Sequence, residues 1–124
     1  MNLENYLSGE DKARIIQEIV PGKQITLAHI IANPDDVLYH KLGLDPAEAH
    51  SGAIGILTLS PSETAIIAGD IAMKASGVTL GFVDRFSGTV IVTGSVSQVE
   101  AALTAVTEYA VNKLGFDVCN LTRT

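Results

Sequence analysis

Apolar and polar positions along the chain fall into short apolar runs separated by Pro, Gly and Ser. Residues 1–13 (MNLENYLSGEDKA) are polar and predict a flexible N-terminal tail. The first β-like run is Arg14 to Val20 (RIIQEIV), stopped by the turn signal Pro21-Gly22. Gln24 to Ala32 predicts a strand with Ile25, Leu27, His29 and Ile31 on one side and Thr26, Ala28, Ile30 and Ala32 on the other. Both sides are mostly apolar, so the strand is expected to be covered twice.

Three helix starts are legible. Asn33-Pro34-Asp35-Asp36 reads as a cap, a Pro at the first helical position and acids facing the positive helix end, and predicts a helix stopping near Gly43. Ser60-Pro61-Ser62-Glu63 has the spacing of a capping box and predicts a helix to about Ala75, closed by Gly77. Ser97-Gln98-Val99-Glu100 repeats that spacing. Val99, Leu103, Val106, Ala110 and Leu114 then follow at helical intervals, with Gly115 as the stop.

Strand-like runs lie at Ala53 to Leu59, Val78 to Arg85, Thr89 to Ser95 and Phe116 to Thr122. The link Phe86-Ser87-Gly88 is short enough to make the middle two a hairpin. From residue 53 the order is β-α-β-β-α-β, an α+β chain of the ferredoxin-like or split βαβ kind, forming an α/β sandwich preceded by extra N-terminal strands and a helix. Helices on one side of the sheet leave the other side and the edges to be covered, and subunit contacts are one way to do it.

Composition narrows the function. A chain of 124 residues fits one domain. A formal net charge of −6 without a basic stretch argues against nucleic acid, whose affinity comes largely from Lys and Arg neutralising phosphates. The longest apolar stretches, Gly52 to Leu59 and Val78 to Val83, fall far short of the ~20 residues that span a bilayer, so no membrane partner is expected. The single cysteine, Cys119, excludes an internal disulfide, and the N-terminus lacks the stretches of a signal peptide, which points to the cytosol. With 18% charged residues the chain carries more apolar surface than one small core hides, and self-association is the simplest remedy.

Specific catalytic signatures are missing: no G-x-S-x-G, H-E-x-x-H, cysteine pair, phosphate loop or G-x-G-x-x-G occurs. Neither catalytic residues, metal ligands nor a cofactor are expected. Pro21-Gly22-Lys23 reads as a plain turn. His29, His40 and His50 lie on different elements and read as structural or surface residues. Asp70 interrupts an apolar helix and reads as an exposed or interface carboxylate, with a buried functional group the alternative. Asp84-Arg85 reads as a solvated pair, with an intersubunit contact the next reading, and Cys119 as a small buried hydrophobe.

The segments GAIGILTL, SETAIIAGDIAMKAS and VTLGFVDRFSGTVIVTGSVSQVEAAL together resemble the bacterial microcompartment (BMC) shell domain. The preceding RIIQEIVPGKQITLAHIIANP resembles its circularly permuted subgroup, represented by EutS and PduU, and the ending CNLTRT is closer to the latter. The likeness covers about residues 14–124 as one domain and implies that KQITLAHIIANPDDVLYHKL is a strand and helix moved from the end of the domain to its beginning. It also implies a non-enzymatic protein, a homohexamer that tiles with other microcompartment shell proteins around encapsulated enzymes inside the cytoplasm. An oligomeric ferredoxin-like protein that binds a small metabolite or acts as a regulator is the alternative.

Residue roles follow from that resemblance. Lys74, after Met73 near a helix end, matches the edge lysine that lies along its counterpart on a neighbouring hexamer; a helix-end charge is the plainer reading. Phe86, Ser87 and Gly88 match the loop around the central pore, where the bulky Phe86 departs from the usual small or aliphatic residue. Arg14, Ile15, Ile16, Gln17, Glu18, Ile19 and Val20 match a strand that joins five others in a small parallel barrel over the axis. Gly52 is a candidate bend point in a kinked hexamer, or a loop glycine.

Overall fold

The computed structural model describes residues 22–49 and 52–124. The expected tail (1–13), the expected barrel strand (Arg14 to Val20) and His50 lie outside the described residues. The elements in chain order are β1 (Gln24–Ala32), α1 (Asp36–Lys41), a 3-10 turn (Pro46–Glu48), β2 (Ala53–Ser60), α2 (Thr64–Ala75), β3 (Thr79–Asp84), β4 (Thr89–Gly94), α3 (Val96–Leu114), β5 (Asp117–Val118) and β6 (Thr122–Arg123).

The continuous apolar run of β2 forms the middle strand of a sheet ordered β3-β4-β2-β1-β5, with β6 also on β1. Its burial on both faces is what a run without polar alternation requires. From Ala53 onward the order β2-α2-β3-β4-α3-β5 is the expected β-α-β-β-α-β. Beside β2, however, lies β1, paired antiparallel from Gln24↔Ser60 to Ala32↔Ala53, and the closing strand runs parallel to β1 on its far side. The run Phe116 to Thr122, expected as one strand, is two short ones. Both keep one register on β1, and the gap lies opposite a bulge in β1 between Ile25 and Leu27.

That bulge also corrects the expected grouping of β1 side chains. Ile25 turns to the core with Ala28 and Ile30, whereas Leu27 is left partly exposed. The core between sheet and helices joins these to Leu57 and Leu59 of β2, Val90 and Val92 of β4, and Ala65, Ala68, Ala72, Val99, Leu103 and Val106 of α2 and α3. Each large side chain fully buried here contributes roughly 1.5–3 kcal/mol of transfer free energy. The opposite sheet face carries a smaller cluster in which Tyr39, Leu44 and Ala49 cover Ile54, with Ile31, Ile56 and Ile91 at its margin. β1 is thus covered on both faces, the second only in part.

Four helix ends differ from expectation. Asp35, not Asn33, caps α1, its carboxylate accepting from Val37 N at 2.9 Å, while Asn33 sits at φ 50° in the turn before it. Ser60 is held in the β2 ladder opposite Gln24, so its hydroxyl does not cap α2, and the cap position Glu63 makes no side-chain cap bond. Gly77 does not close α2 with a left-handed turn either; the residue after the helix, Ser76, is extended. Helix α3 begins two residues earlier than expected: Ser95 Oγ accepts from Gln98 N, and Gln98 Oε1 in turn accepts from Ser95 N. The other two C-terminal signals hold, with Gly43 (φ 71°) after α1 and Gly115 (φ 70°) after α3.

Candidate functional site

Three places on this scaffold carry the residues singled out in the sequence: the β3–β4 loop, the outer side of α2, and the segment before β2.

The β3–β4 loop is braced from inside by Asp84. One carboxylate oxygen accepts from Phe86 N at 2.8 Å, the other from the Ser87 hydroxyl at 2.8 Å, and Gly88 N donates to the Asp84 carbonyl at 2.9 Å. These hydrogen bonds, first the one from Phe86 N and then the one from Ser87, hold the carboxyl below the usual aspartate range. Asp84 and Arg85 are therefore not the solvated pair expected: the carboxylate is turned into the loop, and the Arg85 guanidinium lies over the Phe86 ring, 4.9 Å from its centroid. Phe86 itself is 81% exposed at the tip. Gly88, at φ 76°, lies against β2, where a Cβ would stand 2.2 Å from the Leu59 carbonyl oxygen.

On α2 the small residues Ala65, Ala68, Gly69 and Ala72 face inward, and Ile66, Ile67, Asp70, Met73 and Lys74 face outward. Asp70 and Lys74, one helical turn apart, form an ion pair with the ammonium 2.8 Å from a carboxylate oxygen. The hydrogen bond to Asp70, and then its charge, raise the Lys74 pKa. The exposed reading of Asp70 is the observed one; what it binds is visible in the sequence as the spacing D-x-x-x-K.

Gly52 is buried and its position is set by space rather than backbone angle. Its φ lies outside the left-handed region, and a Cβ would stand 2.8 Å from the Glu48 carbonyl oxygen and 3.1 Å from both the Gly94 carbonyl oxygen and the Tyr39 hydroxyl. Glycine at 52 is therefore required by the lack of room for a side chain and not by a left-handed backbone angle.

His29 is tied to the chain end, with Nδ1 2.6 Å from the Thr122 hydroxyl and Nε2 2.9 Å from the Thr124 hydroxyl. His40 lies exposed on α1, and Cys119 packs half-buried at the margin of the main core. Among the described residues no three His, Cys, Asp or Glu side chains gather as metal ligands. No described helix is long and apolar enough to cross a membrane.

The distinctive groups of this α+β sandwich thus sit on an exposed hairpin tip and on the outer side of a helix. The comparisons with known proteins give the family. Residues 53–120 match the BMC domain, and the chain belongs to the bacterial microcompartment shell-protein family. It is 52% identical over 113 residues to the bacterial microcompartment shell protein EutS of Escherichia coli, covering 91% of this chain and 98% of that protein. To the shell protein PduU of Salmonella typhimurium it is 56% identical over 111 residues, covering 90% and 93%. The solved structure described as a CutR flat hexamer superposes with a TM-score of 0.79 at 52% identity, covering 90% of this chain and 99% of that one.

Proposed function

We propose that this protein is a structural subunit of a bacterial microcompartment shell in the cytoplasm, a cyclic homohexamer that tiles with other shell proteins around encapsulated enzymes. The observation that carries this reading is likeness along almost the whole chain, at about half identity, to proteins named as shell subunits and to one solved as a flat hexamer. Its role is structural rather than catalytic, and the same likeness favours it over a metabolite-binding regulator.

In this reading Phe86, Ser87 and Gly88 stand around the six-fold axis, and the exposure of Phe86 and the bracing by Asp84 suit a rigid aromatic collar there. Lys74 meets its counterpart at the edge of a neighbouring hexamer. Arg14, Ile15, Ile16, Gln17, Glu18, Ile19 and Val20 supply one strand each to a six-stranded barrel over the axis, which pairs edges that single copies leave open. Gly52, next to the turn that precedes β2, is the point at which a hexamer bends. The reading of the domain as circularly permuted is supported by a BMC match that begins only at residue 53 and by β1 lying beside β2 with the C-terminal strands outside it.

Two experiments test the reading. Lys74→Ala or Lys74→Asp abolishes sheets while soluble hexamers remain; sheets formed as before contradict the edge role. Removing residues 1–20 preserves hexamers and changes the axial opening; loss of all assembly shows instead that the segment builds the ring.

A further inference from the structure

Lys74 does not stand alone on the outer side of α2. Its ammonium is 2.8 Å from Asp70 on the preceding turn, and the side chains of both residues are mostly exposed, at 75% and 55%. A single exposed pair of this kind does little for the stability of one chain. Its consequence changes where two copies meet edge to edge. Such a contact brings two Lys74 ammonium groups toward each other, and two like charges leaving water together repel and lose hydration. An ammonium has three donors. One is taken by Asp70, which leaves two for the carbonyl oxygens of a neighbour.

We infer that Asp70 is a positioning residue for lateral assembly: it holds the Lys74 side chain along α2 and cancels its charge, so that each edge contact joins two neutral pairs rather than two cations. This rests on the edge role proposed for Lys74. The Asp70–Lys74 pair is already made in the lone hexamer, so what shifts assembly is the repulsion left at each edge contact when Asp70 is removed. Compounded over the six edges of a hexamer, that repulsion raises the concentration at which sheets form severalfold or more.

The test measures that onset concentration by pelleting and negative-stain microscopy for wild type, Asp70→Asn, Asp70→Glu, Lys74→Ala and the Asp70→Asn/Lys74→Ala double variant, at low and at severalfold higher sodium chloride. Native mass spectrometry and melting temperature report in parallel on the hexamer itself. Asp70→Asn is expected to keep the hexamer and its melting temperature, to raise the onset at low salt, and to recover as salt screens the unpaired ammonium groups. Asp70→Glu is expected to stay near wild type, and Asp70→Asn to add nothing to Lys74→Ala. An onset for Asp70→Asn within twofold of wild type, a loss that salt does not relieve, or an equal loss on top of Lys74→Ala overturns the inference. Sheets unaffected by Lys74→Ala overturn the edge reading beneath it, which is a separate result.

Discussion

Leu59 and Gly88 lock the β3–β4 hairpin onto the middle strand: Leu59 N donates to the Gly88 carbonyl at 2.8 Å, and the Leu59 carbonyl fills the space a Gly88 side chain would need. Gly88→Ala therefore meets both a left-handed backbone angle and a backbone clash, and is expected to destabilise the fold by roughly 2–4 kcal/mol. Chemical denaturation reads this directly. A midpoint equal to that of wild type contradicts the packing described.

The loop carboxylate sets a pH dependence of known sign. Hydrogen bonds lower the folded pKa of Asp84, so its contribution is complete above the unfolded value and is lost as pH falls through the lower folded value. The Phe86 amide shift, followed by NMR, is expected to titrate with a midpoint below the ordinary aspartate value of about 3.9, and the step vanishes in Asp84→Asn. A midpoint at or above the ordinary value contradicts the hydrogen-bonded loop.

Gly52 stands in a space bounded by two carbonyl oxygens and the Tyr39 hydroxyl. A methyl group there overpacks the joint between the 3-10 turn and the sheet, and Gly52→Ala is expected to cost about 1–3 kcal/mol. Should Gly52→Ala melt with wild type, the crowding described is absent.

His29 clips the C-terminal strand to β1 through two threonine hydroxyls. His29→Ala removes both bonds, and since each is worth about 1 kcal/mol, exchange of the Thr124 amide, which donates to the Ile30 carbonyl, is expected to speed up at least fivefold. Exchange in β2 stays as it was. Uniform acceleration across the sheet would assign His29 a global role instead of a local one.

Much of this architecture could be read from residue patterns because it is local. The apolar run at Ala53 to Leu59, the helical spacing from Val99 to Leu114 and the left-handed glycines Gly43, Gly88 and Gly115 each carry their own signal. What misled was competition between neighbouring candidates. Ser95 and Ser97 each have a capping-box partner three residues on, Gln98 and Glu100, and the fold uses the first pair, leaving Ser97 inside α3; Asn33 and Asp35 both precede α1, and the turn takes the first. The β1 bulge left no mark in the pattern, because residues on both faces of that strand are apolar, so a shift in alternation changes little in the sequence. The Asp70–Lys74 spacing was visible, but its meaning required knowing that both residues face outward. The Arg85–Phe86 stack required the direction of a carboxylate that only the folded loop fixes.

The account turns on assembly, and native mass spectrometry of the purified full chain tests it most directly. The expected result is one dominant species of six 13.0 kDa chains, which pass into sheets seen by microscopy as concentration rises. A chain shown by circular dichroism to be folded, yet found as single copies throughout that range, would contradict it.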